Sequence, residues 1–537
     1  MSKISFIDWL IIFVYLIGMI AMSFYLSKGQ ESKEDYYLGG NNTGFFPIAM
    51  STIATQCSSN SILGGPAFVA FSVGGGLLWL QYEVALPFAM IFIMFFLLPF
   101  FKKLNIISIY AYLEKRFGFK TRLLLSLIFQ LTRAFATGVL VYGISSILAF
   151  ILGISYFWAV VLVAVVTIIY DSIGGIKAVI YSDMIQIFVI YACIIISFFY
   201  SLNLLGGFDK LFELIPLDRL QSLDFSKTGL GDSSDFSFLP MFIGGFFMYV
   251  AYYGCDQSQM QRQLSSKNLE DANKSLFLNG ILRFPLVLCY CLFGLSILAF
   301  SKINPDFLNT MPVNPSGSAN LNAAAPLYVI SQFPVGLVGL FIVALFASAM
   351  SSLDSIINSL GAASMEDVVK PFVKLESKTE LLISKLLTVF WGTLCTYFSF
   401  YVAGISDSVI VSVNKISSCL NGPILALFLI GILLKKVSES QALLGFIFGI
   451  ALNVYLWLAV PELSWMWWNV FGFLVSFALA YLLSVFNPVV RDIDSELCFS
   501  IEDSRLSSGN LFKYLKYLLV YGVMIFLLLF VWDKFIV

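Results

Sequence analysis

The sequence contains no histidine, and only 12% of its 537 residues are charged. Histidine is the usual general base at neutral pH and the commonest metal ligand in proteins. The charges sum to −1, which argues against a surface that binds nucleic acid. A nucleotide-binding loop of the GxxxxGK[ST] kind is also absent from the sequence. We therefore expect neither an enzyme nor a protein with an organic cofactor.

What the chain does have is hydrophobic residues, which make up 59% of it. This composition is typical of an integral membrane protein. Apolar runs long enough to cross a bilayer predict an all-α membrane protein with about fourteen transmembrane helices. We place the spans near residues 5–27, 44–72, 74–101, 122–154, 156–172, 180–205, 238–263, 274–301, 335–364, 384–402, 403–434, 440–460, 464–486 and 514–534.

Basic residues in short loops predict the orientation of the chain. Lysines and arginines crowd the loop 102–122, and Arg262, Lys267 and Lys274 are counted in a loop on the same side. The loop 206–237, on the other side, is rich in aspartate and glutamate. We therefore expect a multi-pass protein of the cell (plasma or inner) membrane whose basic loops face the cytoplasm and whose two termini lie outside.

The apolar run 335–363 carries an unusual number of oxygen-bearing side chains. Helical spacing places Ser348, Ser351, Ser352 and Ser355 on one stripe, with Asp354 beside it. A carboxylate at this depth costs about 2.5–3.5 kcal/mol, so it needs a partner or a hydrated cavity. Hydroxyl and carboxylate oxygens are ligands for small hard cations, which predicts a cation site at mid-membrane. The alternative is that the serines pack helices closely and bond to their own backbone.

Two predicted spans are interrupted by polar residues. The span 44–72 contains the polar cluster 52–61 followed by Gly-Gly-Pro at 64–66, and the span 238–263 contains the polar stretch 252–257. Unwound backbone at membrane depth is tolerated where it lines a cavity, and such breaks in corresponding helices indicate an inverted-repeat transporter. Two simple kinks are the alternative.

Several charged or polar side chains also fall within predicted spans. Because each is costly in lipid, we expect all of them to face the interior of the helix bundle. They are Glu83, Arg133, Asp183, Arg283, Asn414 and Lys415. Structural ion pairing, for example of Glu83 with Arg283, is the alternative.

Four stretches resemble motifs of the sodium:solute symporter family, the sodium-coupled sugar, proline, pantothenate, sialic acid and monocarboxylate carriers. They are EDYYLGG at 34–40, GGIKAVIYSDMIQ at 174–186, AMSSLDS at 349–355 and NGPILALFLIG at 421–431. The resemblance covers about residues 5–490 in the order that the family shows. It implies sodium as the coupling ion and the only metal, a small-molecule solute as partner, and a protein that functions as a monomer in the lipid bilayer.

The family resemblance also implies a fold, which is leucine-transporter-like with two inverted five-helix repeats. In this chain the repeats would span about 44–205 and 238–434 of a single transmembrane transporter domain, 1–537. The additional helices would be 5–27, 440–460, 464–486 and 514–534.

By the same resemblance, sodium would bind the backbone carbonyls of Ala54, Cys57 and Ser348 and the hydroxyls of Ser351 and Ser352. Some family members have a second sodium site, which here would use Asp183 with Ser351, Asp354 and Ser355. Asp354 stands where two-sodium members carry a hydroxyl, which leaves the number of sodium ions open.

The resemblance further implies a solute cavity with an inner gate at Tyr252. Its walls would be Ser58, Ser61, Gln81, Tyr82, Glu83, Arg133, Tyr249, Arg283 and Asn414. Arg133 resembles the arginine of sialic acid carriers, and Arg283 falls where a sugar carrier has lysine. Because a guanidinium forks onto a carboxylate, two arginines favour an anionic solute.

We thus expect a sodium-coupled secondary active symporter that imports a small organic solute by alternating access, with a carboxylate or sialic acid as the favoured cargo. The alternatives are a sodium-coupled symporter of sugar or another neutral solute and, with less support, an ion channel. A channel would usually show a repeated selectivity filter, which the sequence does not.

Overall fold

The computed structural model describes residues 4–57, 60–313, 317–402, 409–488, 497–499 and 510–536, with side chains except at 60 and 409–414. Within these residues the protein is helical, and its extended backbone pairs only in isolated bridges such as Thr43 with Ser266. The prediction of an all-α protein is confirmed.

The helices of the first part of the chain are α1 (Phe6–Leu26), α2 (Lys33–Leu38), α3 (Phe45–Gln56), α4 (Gly65–Phe71), α5 (Leu80–Glu83), α6 (Ala85–Phe92), α7 (Leu98–Lys103), α8 (Tyr110–Arg116), α9 (Phe119–Leu152), α10 (Tyr156–Leu205), α11 (Phe208–Leu214) and α12 (Leu217–Leu220). Those of the second part are α13 (Gly245–Cys255), α14 (Gln257–Leu264), α15 (Leu269–Ile303), α16 (Ala324–Gln332), α17 (Leu337–Ala363), α18 (Ser377–Tyr401), α19 (Val409–Leu433), α20 (Glu439–Ala459), α21 (Met466–Phe486) and α22 (Leu511–Ile536).

Eleven helical segments of the described chain are long and apolar enough to cross a membrane. One of them, α10, has 50 residues, which is about 75 Å of helix against a hydrocarbon core of about 30 Å. It bends at Gly175, where φ is 58° and ψ is −157°, so that it supplies two of the predicted spans. Two more predicted spans, 44–72 and 238–263, are each broken into shorter helices. The structure therefore agrees with about fourteen crossings.

The helix α17 occupies the centre of the bundle. It packs against α1, α3, α9, α10, α14 and α18. Of its most apolar stretch 89% is buried, against 22% for α1 and for α22 at the periphery. The polar side chains of α17 therefore face other helices and not lipid, which places Ser348, Ser351 and Ser352 in the protein interior.

One expectation from the loop count is wrong. Arg262 was counted among the residues of a cytoplasmic loop, but it lies on α14 and is 1% exposed. The whole of α14 is buried, although its sequence, QSQMQRQL, is polar. Its side chains are buried because they form hydrogen bonds with α3, α10 and α17, as described below.

Candidate cation site and solute cavity

The first broken helix provides the backbone half of the predicted cation site. The helix α3 ends at Gln56, Cys57 leaves the helical conformation at φ −80° and ψ 61°, and a π-helical turn, Asn60–Gly64, leads into α4. Carbonyls in the last turn of a helix lack intrahelical donors. The Ala54 carbonyl lies in that last turn, and both Ala54 and Cys57 are fully buried.

The hydroxyl half of the site lies on α17. The Ser351 hydroxyl is 3.5 Å from the Ala54 carbonyl oxygen across the interface between α17 and α3. It also lies 3.3 Å from the Ser348 carbonyl, and the Ser352 hydroxyl lies 3.0 Å from that same oxygen. The structure thus brings together four of the five predicted ligand groups in a buried cluster of neutral oxygens. Such a cluster has the chemistry that a small hard cation requires.

The residues expected to form a second sodium site also lie close together. The Asp183 carboxylate accepts a hydrogen bond of 2.6 Å from the Ser51 hydroxyl. The Asp354 carboxylate accepts one from the Tyr170 hydroxyl and one of 3.1 Å from the Ser355 hydroxyl. All of these side chains are buried.

The second group also contains a positively charged side chain, Arg262, which the sequence analysis missed. The Arg262 guanidinium is 3.3 Å from the Asp183 carboxylate, donates to the Ser355 hydroxyl, and donates at 2.7 Å to the Ser51 hydroxyl. It therefore joins α14 to α3, α10 and α17. The available signal was that Arg262 lies inside the predicted span 238–263, five residues beyond its polar stretch 252–257.

The sequence analysis also missed Asp171, a third carboxylate near this group. Asp171 is fully buried and accepts a hydrogen bond of 3.0 Å from the Asn358 amide, which itself accepts one of 3.0 Å from Gln261. One oxygen of Asp171 and one of Asp183 have no hydrogen-bond partner in the described part of the chain. Around Arg262 the acidic groups thus outnumber the basic ones, which favours positive charge here.

The predicted solute residues Glu83, Arg283, Tyr249 and Tyr82 form one cluster. The Arg283 Nε atom lies 3.5 Å from Glu83, and the Tyr249 hydroxyl donates to Glu83 at 3.1 Å. The Tyr82 ring lies 4.5 Å from that of Tyr249. The ion pair between Glu83 and Arg283 is therefore present, but it is too poorly aligned to be a hydrogen bond. Nε and Nη1 of Arg283 have no hydrogen-bond partner among the described residues.

Gln81 lies beside this cluster, but its amide is engaged elsewhere. Its oxygen accepts a 3.1 Å hydrogen bond from the Asp224 backbone, and its nitrogen donates to the Phe236 carbonyl. Gln81 therefore holds the loop that follows α12 in this structure. Ser61 lies in the π-helical turn and is buried, whereas Ser58 and the side chain of Asn414 lie outside the described residues.

Arg133, on α9, belongs to a second cluster. This cluster lies at the end of α13, about two turns beyond Tyr249. It forms an ion pair of 2.5 Å with Asp256, and the Tyr252 ring lies 5.3 Å from its guanidinium carbon. Arg133 and Asp256 line a cavity of about 260 Å³ between α9, α13 and α19. The structure thus divides the expected cavity residues into two groups, which the tyrosines of α13 connect.

Broken helices at membrane depth, with an oxygen cluster between one of them and a central helix, define a secondary transporter. Residues 36–449 match the model of the sodium:solute symporter family, and the chain belongs to that family. The sodium/sialic acid symporter NanT of Aliivibrio fischeri is 30% identical over 89% of this chain and 92% of its own. The human sodium-coupled monocarboxylate transporter 1 is 28% identical over 84% of this chain and 73% of its own.

Solved structures agree with the fold. A substrate-bound, outward-open structure of a sodium-coupled sialic acid symporter has a TM-score of 0.79 at 23% identity and covers 90% of this chain and 98% of its own. The nucleobase-cation-symport transporter Mhp1 in a closed conformation has a TM-score of 0.52 at 14% identity, over 91% of this chain and 99% of its own. The protein is therefore a multi-pass membrane protein with a leucine-transporter-like fold, and a sodium-coupled solute transporter, not an enzyme.

Proposed function

We propose that the protein imports a small organic anion, a carboxylate or a sialic acid, together with sodium by alternating access across the cell membrane. The two arginines of the solute clusters support an anion, since a guanidinium binds a carboxylate through a fork of N–H donors. Arg283 supports it most directly, because it is 5% exposed and two of its nitrogens have no hydrogen-bond partner in the described residues. The named specificities of the sialic acid and monocarboxylate relatives agree with this class of solute.

Sodium would bind the carbonyls of Ala54, Cys57 and Ser348 and the hydroxyls of Ser351 and Ser352. The observation that carries this assignment is the 3.5 Å contact between the Ser351 hydroxyl and the Ala54 carbonyl. A cation here would fasten the broken end of α3 to α17 and so complete the neighbouring cavity. Sodium then raises the affinity for solute, typically by about 1–3 kcal/mol, and the solute raises the affinity for sodium equally.

The solute would bind against Arg283, Glu83, Tyr249 and Tyr82 on its way through the membrane, and Tyr252 would gate the inner side beside Arg133. The remaining wall residues of the proposal are Ser58, Ser61, Gln81 and Asn414. Asp183, Ser351, Asp354 and Ser355 stay the proposed place for a second sodium ion, which must displace or share the position of Arg262.

The topology of the proposal follows from the basic loops. The repeats would run over about 44–205 and 238–434, with both termini outside and each monomer functional. The bend of α10 at Gly175 and the breaks near Cys57 and Asp256 support this division. Cysteine labelling of each terminus in intact cells tests the orientation.

A thermal-shift screen of the purified protein tests the solute. Lactate, N-acetylneuraminate and galactose are each added in sodium buffer and in matched choline buffer. We expect a carboxylate to raise the unfolding temperature, and to raise it more in sodium, since the two ligands bind the same state. If galactose stabilises the protein and neither carboxylate does, the neutral-solute alternative replaces this proposal. Uptake that saturates with solute separates a carrier from a channel.

A further inference from the structure

The ion pair between Arg133 and Asp256 has a geometry that leaves part of the arginine free for a ligand. The Arg133 Nε and Nη2 atoms both contact the same Asp256 oxygen, Oδ2, at 2.7 and 2.5 Å. Nη1 makes no hydrogen bond to any described residue. Both side chains line the 260 Å³ cavity, and the Arg133 side chain is 19% exposed.

The other oxygen of Asp256 fixes the carboxylate in place. Asp256 lies between α13 and α14 with extended backbone, at φ −101° and ψ 129°, and is the N-cap of α14. Its Oδ1 accepts hydrogen bonds from the Ser258 backbone N–H, at 2.8 Å, and from the Ser258 hydroxyl. The carboxylate therefore presents Oδ2 to Arg133 in a fixed orientation.

The rest of the described cavity lining holds no second positive charge, because its polar side chains, Thr132, Ser417 and Asn421, are neutral. Its wall is mostly apolar or aromatic, and includes Phe129, Phe135, Leu420 and Ile424. A solute carboxylate and Asp256 on one guanidinium would leave a net negative charge in surroundings that solvate it poorly. An anion can therefore bind only if it draws Arg133 away from Asp256. Asp256 in turn favours dissociation of the anion, because Arg133 can then pair with Asp256 again.

We propose that Asp256 is an internal competitor of the solute anion, a positioning residue that takes Arg133 back and thereby releases the cargo towards the cytoplasm. This inference rests on the proposed function, because it requires an anionic solute at Arg133. While sodium is bound, the cavity stays complete and the solute stays paired with Arg133. When sodium leaves, the ion pair between Arg133 and Asp256 re-forms and the solute dissociates.

The substitution Asp256→Asn tests the inference. Asparagine has the same shape and caps a helix as well as aspartate, but it does not neutralise Arg133. We expect thermal-shift titrations in saturating sodium to show N-acetylneuraminate or lactate binding about tenfold tighter than in the wild type. In uptake assays KM and the maximal rate should both fall, because release becomes slow. A merely structural defect would lower the maximal rate and leave KM unchanged.

Three controls isolate the charge of Asp256. Ser258→Ala removes a hydrogen bond to Oδ1 but keeps the carboxylate, so the affinity for the anion should stay at the wild-type value. In an Arg133→Ala background, Asp256→Asn should no longer change the affinity. The methyl ester of N-acetylneuraminic acid has no negative charge, and its interaction with the protein should not respond to Asp256→Asn.

Two outcomes contradict the inference, and they are distinguishable. If anions stabilise the wild type and Asp256→Asn binds them no more tightly, the competitor role is wrong and the proposed function stands. If neither the wild type nor Asp256→Asn is stabilised by any carboxylate while galactose stabilises both, the proposed function fails and this inference fails with it.

Discussion

Ser351 contacts two chain segments that are about three hundred residues apart in the sequence, the end of α3 and the preceding turn of its own helix. The hydrogen bonds within α17 are those that the packing alternative predicted, and the contact with Ala54 is the one that the cation site predicted. The contacts of this one hydroxyl therefore agree with both the packing alternative and the cation site. The difference between them lies in what happens when the hydroxyl is removed.

Ser351→Ala should raise the sodium concentration for half-maximal uptake by at least about tenfold, because a ligand to a charged group contributes about 1.5–3 kcal/mol. Sodium-dependent uptake measures this. Ser359→Ala is the matched control, since the Ser359 hydroxyl bonds only to backbone carbonyls of α17 among the described residues. Unchanged sodium dependence in both Ser351→Ala and Ser352→Ala would remove the site assignment.

Arg262 is the residue on which the interior charge balance depends most. Arg262→Gln should destabilise the protein by about 3–5 kcal/mol, since it leaves the buried Asp183 without its ion pair. Thermal unfolding in detergent measures the loss, and Asp183→Asn in the same chain should recover part of it. Lys210→Gln, which breaks the exposed ion pair with Glu213, should change stability by less than about 1 kcal/mol. Equal effects of the two substitutions would contradict the structural role given to Arg262.

At the scale of elements, the breaks in the helices position the functional groups. The break after α3 exposes the carbonyls near Cys57, the break at Asp256 orients its carboxylate, and the bend at Gly175 turns α10 so that Asp183 reaches α3 and α14. Each break coincides with a composition that disfavours continuous helix, either glycine or clustered polar side chains.

Gly175→Ala tests the most constrained of these breaks. Its backbone conformation is almost exclusive to glycine and costs other residues about 1–3 kcal/mol. A Cβ atom would also lie 2.6 Å from the Tyr36 carbonyl oxygen. We expect lower yield and a lower unfolding temperature. Gly143→Ala on α9 is the control, because a Cβ there meets nothing within 4 Å and alanine favours helix. A Gly175→Ala protein as stable as the wild type would contradict the bend.

The elements that could be predicted from the sequence are those whose residue pattern lies within a short stretch of the chain. The apolar runs, the Gly-Gly-Pro at 64–66 and the serine stripe on α17 are all visible within one or two turns of helix. The burial of α14 is different, because Arg262 was counted in a loop as well as in the span 238–263, and its partners decide between the two. Those partners, Ser51, Asp183 and Ser355, come from three other helices. Spacing along one segment carries no information about such contacts, and the same is true of the link between Gln81 and Asp224.

At the scale of the whole molecule, α22 is connected to the first broken helix through residues 219–223. The Asp533 carboxylate of α22 accepts hydrogen bonds of 2.8 and 2.7 Å from the backbone N–H groups of Ser222 and Leu223. Arg219, on the adjoining helix α12, donates at 2.6 Å to the Ser72 carbonyl, just beyond the end of α4. The peripheral helix α22 thus restrains a segment that contacts the chain just beyond α4.

Asp533→Ala should loosen this connection, because it leaves two backbone donors without their acceptor at a cost of about 1–3 kcal/mol each where they are buried. Hydrogen exchange should become faster in residues 217–223 and, through Arg219, in residues 69–76. Lys534→Ala, at an exposed neighbouring position, is the control. Faster exchange in 217–223 with no change in 69–76 would show that the loop does not restrain α4.

The guanidinium of Arg262 is a cation that never leaves the chain, and this has an electrical consequence under the proposed function. One sodium ion and one singly charged anion carry no net charge when they cross together. The membrane voltage then neither drives nor opposes the complete transport cycle. If a second sodium ion takes the place of Arg262 beside Asp183, each cycle carries one positive charge inward and becomes electrogenic. The side chain that occupies that position thus decides whether voltage can power accumulation.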